Sequence, residues 1–297
     1  MPRISICIPA YNAEKYLPEA LESVRNQTFK DWELIVTEDG SKDGAEAMVR
    51  AFAQSVPQPV RYMRHEANQG LPATRNTGIT ASTGEWIALL DADDRWAENH
   101  LETIHARLLE TGADLAHAGS VLFDSDTGRE LGIRAPTPAE LAAFPYSLFM
   151  GELIIQPSSV VLKKNLWERA GGFDPTFRYV EDREMWMRCA RVGGRFVFTG
   201  ENTCLYRKHG GALSTHSAEM AIASARAFEK QLDWTAIPQE TRRRLASEAW
   251  IAAARILQRK EPRRAAEYLL RAWRIAPRPG FLVWAWALRL YAVFSRR

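Results

Sequence analysis

The sequence predicts an α/β domain built on a mostly parallel sheet, followed by an α-helical C-terminal region. Three observations predict it. Strand-like and helix-like segments alternate four times before residue 112, as βα units do when helices cover both faces of a sheet. The apolar run Trp86-Ile87-Ala88-Leu89-Leu90 stops abruptly in Asp91-Ala92-Asp93-Asp94. A buried strand of an open α/β sheet offers a ligand site at that end. From about Ser217 onward the spacing is helical throughout.

The elements follow in order. Ile4 to Ile8 is a short strand that Pro9 breaks, and Asn12 reads as the N-cap of a helix with Leu17, Ala20, Leu21 and Val24 on one face. Glu33 to Thr37 is a second strand, ending in the polar turn Glu38-Asp39-Gly40-Ser41-Lys42-Asp43-Gly44. Ala45, Met48, Val49 and Phe52 mark the next helix, and Val60 to Met63 a third strand. Gly70 to Ala81 is helical, with Pro72 tolerated in its first turn. The central strand and its acids follow, then a helix through Leu101, Ile104 and Leu108.

After Asp114 the pattern loosens. Leu115 to His117, Val121 to Phe123 and Ser159 to Leu162 are strand-like, and Pro136 to Met150 reads as a loop with a short helix. Glu181 and Asp182 stand at the start of a helix carrying Met185, Trp186, Cys189 and Val192, where negative charge is favoured. Closing strands run Arg195 to Phe198 and Thr203 to Tyr206, before a polar loop that holds His209. Ala249 to Leu257 and Ala265 to Trp273 form a helix pair, the second resembling half of a tetratricopeptide repeat. With a single such unit, an array is not expected. Phe281 to Phe294 is apolar and Trp-rich, ending in Ser295-Arg296-Arg297. It is too short to span a bilayer comfortably, and it suits either a membrane interface or packing on the preceding domain.

Charge is uneven. The net charge is +3 over 297 residues, yet Pro238 to Arg297 carries fourteen Arg and Lys against four acids, leaving −7 on the rest. A basic tail on an acidic body suits an anionic membrane surface or nucleic acid. Cys7, Cys189 and Cys204 show no pairing or metal-binding pattern. With no secretory leader before the first strand, a reducing, cytoplasmic location is expected.

Polar groups from three strand ends, Pro9 to Asn12, Glu38 to Asp43 and Asp91 to Asp94, are thereby brought to one cleft. Carboxylates held this close repel unless a cation sits among them. Hard oxygen donors favour Mg²⁺ or Mn²⁺, which bridge one or two carboxylates to substrate phosphates.

Four motifs, in order and at matching spacing, carry a family resemblance over residues 3 to 215. They are Ser5 to Asn12, Trp32 to Gly44, Gly70 to Ile79 running on into Thr83 to Asp94, and Glu181-Asp182-Arg183-Glu184-Met185-Trp186-Met187-Arg188. Together they resemble a family-2 glycosyltransferase of the GT-A fold, which is Rossmann-like. Glu38 departs from the pattern, standing where the family usually has Asp. The resemblance implies a domain at 1–215 and a helical region at 216–297. It implies inverting transfer of a sugar from a nucleotide diphosphate sugar, UDP-linked, to a hydroxyl of a glycan or lipid-linked acceptor. Pro9, Tyr11, Asn12, Asp39, Arg75 and Asp91 are implied to hold the donor. Asp93 is implied to ligate Mg²⁺ or Mn²⁺, with His209 completing the site. Asp182 is the implied base, and Glu181 the runner-up, because spacing alone does not separate adjacent acids. No nucleic-acid partner is implied, and the tail fits the inner face of the plasma membrane. The competing readings are a sugar nucleotidyltransferase, which lacks its customary Gly-rich basic loop here, and a non-catalytic membrane adaptor built on the helical tail.

Overall fold

The computed structural model describes residues 2–210 and 217–294. Gly211, the 215/216 boundary and Ser295-Arg296-Arg297 lie outside the described residues. The chain divides into two compact units, Met1–Gly210 and Gly211–Arg297.

The first unit opens with β1 (Ile4–Ala10), α1 (Leu17–Arg25), β2 (Trp32–Glu38), α2 (Ala45–Ser55), β3 (Val60–Arg64), α3 (Leu71–Ala81) and β4 (Trp86–Leu89). Then come β5 (Arg95–Trp96), α4 (His100–Thr111), β6 (Leu115–His117), β7 (Ser120–Asp124) and β8 (Glu130–Arg134). It closes with α5 (Pro138–Ala142), α6 (Tyr146–Met150), β9 (Val160–Lys163), α7 (Lys164–Arg169), α8 (Glu181–Arg191), β10 (Phe196–Phe198) and β11 (Cys204–Lys208).

Seven strands form the main sheet in the order β10-β6-β9-β4-β1-β2-β3. All its pairings are parallel except those of β9, which runs antiparallel to β4 and β6. β4 is the middle strand, so its acidic C-terminal end lies at the centre of the sheet edge. On one face of the sheet Ile4, Ile6, Ile8, Leu34 and Val36 meet Leu17, Val24, Val49 and Phe52, all at most 4% exposed, while on the other α3 brings Gly78 against Cys7 and Thr37. Each of these apolar side chains on the first face contributes roughly 1.5–3 kcal/mol through burial.

Two local expectations need correction. Pro9 does not break β1; it lies inside it, paired only with Thr37 of β2, beyond the last β4 partner at Cys7. A proline is admitted where no neighbour needs its missing N–H. Asn12 is not an N-cap. Its φ of 50° is left-handed, and the helix starts five residues later with Tyr16 as cap. A second, four-stranded sheet, β5-β11-β7-β8, was not expected. Its β5 is two residues long and β8 is an edge strand interrupted by Gly132. Neither is long or alternating enough to register as periodicity.

The turn after β2 depends on Gly40. Its φ is +80°, and a Cβ there would lie 2.7–2.9 Å from the backbone of Ala67 and Asn68. Gly40→Ala is expected to cost roughly 1–3 kcal/mol, read as a lower midpoint in urea; an unchanged midpoint would show that this turn tolerates a side chain.

In the second unit, α9 (Ser217–Lys230), α10 (Gln239–Leu257), α11 (Pro262–Ile275) and α12 (Pro279–Phe294) follow one another, and α10, α11 and α12 each pack on the helix before. Buried Ala246, Trp250, Ala254, Ala265, Leu269 and Ala272 fill the α10–α11 seam. No described helix is long and apolar enough to cross a membrane.

Candidate active site

The site lies where β1, β4 and β11 end and α8 begins. β4 delivers Asp91, Asp93 and Asp94 in one turn, and their environments differ. Asp94 is buried and accepts from Ser158 Oγ at 2.6 Å and from the Arg207 amide at 2.9 Å. Burial, then the charges of Asp93 and Asp91, hold its carboxyl well above the ordinary range. It fastens β11 to the acidic turn. Asp91 accepts from Arg75 Nη2 at 2.7 Å, while its amide donates to Ser158 Oγ. Asp93 keeps 39% of its side chain exposed and lies 2.9 Å from His209 Nε2. Surrounding protein, and then the negative charge of Asp91, raise the Asp93 carboxyl, and His209 opposes that shift.

Asp182 reaches the same place from α8. It accepts from the Arg183 amide at 2.6 Å. Burial raises its carboxyl, Arg75 counters this, and Asp91 adds to it. On β11, burial first, and then the negative charges of Asp94, Asp91, Asp93 and Asp182, hold the proton on the Tyr206 phenol. Asp93 and Asp182, 89 positions apart in the sequence, therefore share one electrostatic neighbourhood. Tyr206 carries no sequence signal for this role beyond its place in Tyr206-Arg207-x-His209.

Adjacent acids separate in space. Glu181 is held by Arg75 Nη1 at 2.7 Å with 9% of its side chain exposed, whereas Asp182 is half-buried. Burial pushes the Glu181 carboxyl up to about 7, against the pull of Arg75. The residue before the pair, Val180, has φ 62°, costly for a β-branched residue. That strained step carries the pair into the first turn of α8, where the helix dipole favours both charges.

Arg75 requires a correction. A fork open to the nucleobase or diphosphate was expected; instead it is 1% exposed, with Nη1 on Glu181, Nη2 on Asp91 and its plane 5.4 Å from the Phe173 ring. Two carboxylates satisfy both ends, so it positions acids rather than facing a ligand. Arg75→Met should leave the buried Glu181 and the partly exposed Asp91 without a partner, costing roughly 3–5 kcal/mol. A urea midpoint within error of wild type would count against a buried clamp.

Asp39 is likewise occupied. Its oxygens accept from His65 Nδ1 at 2.7 Å and from the amides of Gln69 and Gly70 at 2.9 and 2.8 Å, leaving 3% of the side chain exposed. It anchors the loop into α3, and His65 passes the link on to Thr77. Glu38 folds back on its own turn, accepting from the amides of Gly40 and Ser41 and from the Ser41 hydroxyl. By contrast Tyr11 is 52% exposed and Asn12 is exposed, both at the end of β1; Pro9 is buried behind them.

Arg207 and Ser158 were not singled out from the sequence. Arg207 donates through Nε to the Asp93 carbonyl at 2.7 Å and through Nη2 to Glu19 at 2.9 Å, with its plane over the Tyr16 ring. Lone serines and arginines carry no pattern until the fold assigns them neighbours.

The donor set suits a hard divalent ion. Asp93 offers a partly exposed carboxylate and His209 an imidazole beside it. Among the described residues no three His, Cys, Asp or Glu side chains form a metal-holding group.

Comparison with known proteins shows the family and the fold. Glycosyltransferase GlyG of Streptococcus pneumoniae is 27% identical over 74% of this chain and 75% of its own. The solved structure of S. aureus TarS 1-349 in complex with UDP-GlcNAc superposes with a TM-score of 0.73 at 17% identity, covering 93% of this chain and 82% of that one. The mannosyltransferase PcManGT from Pyrobaculum calidifontis, in complex with GDP-Man and Mn²⁺, gives 0.63 at 21% identity over 100% and 81%. These likenesses show the GT-A fold. Residues 5–153 match the family described as Glycosyl transferase family 2, and residues 86–294 match Glycosyl transferase family group 2. The chain belongs to glycosyltransferase family 2 and is a transferase.

Proposed function

We propose that the enzyme moves a sugar, with inversion, from a UDP-linked donor to a hydroxyl of a glycan or lipid-linked acceptor. The observation that carries this reading is that Arg75 joins Asp91, after β4, to Glu181, at the start of α8, at 2.7 Å each, which brings the turn of Asp93 and the helix end of Asp182 to one place. A nucleotide diphosphate sugar needs counter-charge at its diphosphate, and the acceptor hydroxyl needs a base on the opposite side of the sugar.

Tyr11 and Asn12, exposed at the end of β1, would take the nucleobase and ribose. Pro9 and the Asp39-anchored loop shape that pocket from behind. Asp91, steadied by Arg75, would orient the ribose side of the diphosphate. Asp93 and His209 would hold Mg²⁺ or Mn²⁺. When bound, that ion neutralises the charge developing on the leaving diphosphate. Asp182 would accept the proton of the attacking hydroxyl. It is preferred over Glu181 because Arg75 already engages Glu181. The TarS and PcManGT complexes, holding UDP-GlcNAc in one and GDP-Man with Mn²⁺ in the other, support a nucleotide-sugar donor. Buried, unpaired Cys7, Cys189 and Cys204 support work in a reducing compartment, at the cytoplasmic side of a membrane where a lipid-linked acceptor is presented.

A thermal-shift screen of nucleoside diphosphates and nucleotide sugars, with and without Mn²⁺, tests the donor. Uridine nucleotides are expected to stabilise the enzyme only with Mn²⁺, by about 2.7 kcal/mol at one hundred times their Kd. Stabilisation by another base series would reassign the donor. Release of pyrophosphate from a nucleoside triphosphate would favour the nucleotidyltransferase reading instead.

A further inference from the structure

We propose that the outer face of α12 lies in the interface of an anionic lipid bilayer, with arginines on lipid phosphates. The helix has one buried side: Ala285 and Leu288 pack inward, at 1% and 9% exposure. Its other side is apolar and open. Val283, Trp286 and Leu290 recur three to four residues apart at 70%, 68% and 45% exposure, with Leu282 and Tyr291 beside them at 37% and 54%. A solvated face normally carries charged residues. A contiguous apolar stripe on a terminal helix marks an interaction surface.

The charge pattern names the partner. No acidic residue follows Glu267, while arginines recur at 271, 274, 278 and 289 and at the two final positions. Arg278 lies 5.9 Å from the Phe281 ring and Arg255 5.9 Å from the Trp284 ring, placing cations against aromatic residues of the same helix. A protein partner with a matching apolar surface would have no need of a one-signed rim. Lipid phosphates do. Over its described length the helix is too short to cross: sixteen residues rise about 24 Å, short of a bilayer core of about 30 Å. A helix with an aromatic apolar face and a basic border lies in the interface plane instead.

Vesicle flotation of the full chain tests this. It is expected to float with vesicles containing phosphatidylglycerol, and much less with phosphatidylcholine alone or in high salt. Val283→Glu/Trp286→Glu should release it, and Arg278→Gln or Arg289→Gln should weaken binding about fivefold each, with circular dichroism confirming unchanged helix content. Both substituted faces are solvent-exposed, so folding is retained. Absence of flotation with either vesicle overturns the proposal. A dimer detected by light scattering that Val283→Glu/Trp286→Glu dissolves, in a chain that does not float, would assign the face to a second copy. Equal flotation with both vesicles would overturn the lipid-phosphate contact. None of these outcomes depends on sugar transfer, so the proposed reaction and this surface stand or fall separately.

Discussion

Asp182→Asn is expected to lower kcat for transfer by about 10²- to 10⁴-fold, the range that a positioned base supplies. Binding of the UDP donor with Mn²⁺ should stay near wild type, because the amide keeps the shape and the Arg183 contact of the acid. Glu181→Gln is expected to behave differently: it loosens the Arg75 clamp and so disturbs Asp91, lowering stability along with turnover. The pH dependence adds a sign. Burial, with Asp91 nearby, raises the Asp182 carboxyl. Its proton is therefore retained at pH values where an ordinary Asp, near pKa 3.9, has lost it. Only the deprotonated form accepts a proton, so kcat/KM falls as pH drops through a value above that ordinary range. In Asp182→Asn this acid limb should vanish. Full transfer activity in the purified Asn variant would remove Asp182 from the mechanism.

Asp93→Ala is expected to abolish measurable transfer and also to weaken nucleotide binding in the presence of Mn²⁺. Two losses combine. The variant removes the partly exposed carboxylate of the pair, and it leaves His209 without the partner 2.9 Å away that orients it. A Lewis-acid contribution of several kcal/mol goes with the ion. Calorimetry of uridine diphosphate with and without Mn²⁺ separates this from Asp182→Asn: the metal-dependent increment should disappear in Asp93→Ala and persist in Asp182→Asn. An undiminished Mn²⁺ increment in Asp93→Ala would move the metal elsewhere.

The fold was largely legible because the signals that specify it are local. The period of Leu17, Ala20, Leu21 and Val24 marks a helix face wherever that helix sits. An apolar run followed by Asp91-Ala92-Asp93-Asp94 marks a strand end without knowing the strand's neighbours. β5 and β8 escaped for the converse reason: a two-residue pairing and an edge strand with Gly132 exist only because partners lie beside them. The antiparallel run of β9 in an otherwise parallel sheet is likewise invisible in the apolar letters Val160-Val161-Leu162.

At the site, the sequence by itself determined which residue types are present, their order, and that acids stand at strand and helix ends, since those positions follow from periodicity and backbone chemistry. It also determined the uneven charge of the tail. Only the tertiary structure decided what each charged group faces. It turned Arg75 from an open fork into a buried clamp, closed Asp39 against the Gln69–Gly70 amides, and tied Glu181 down while leaving its neighbour Asp182 half-buried. It also brought in Arg207, Ser158 and Tyr206. The physical reason is that a charge acts on whatever lies within a few ångströms, and in a folded chain those neighbours come from residues remote in sequence.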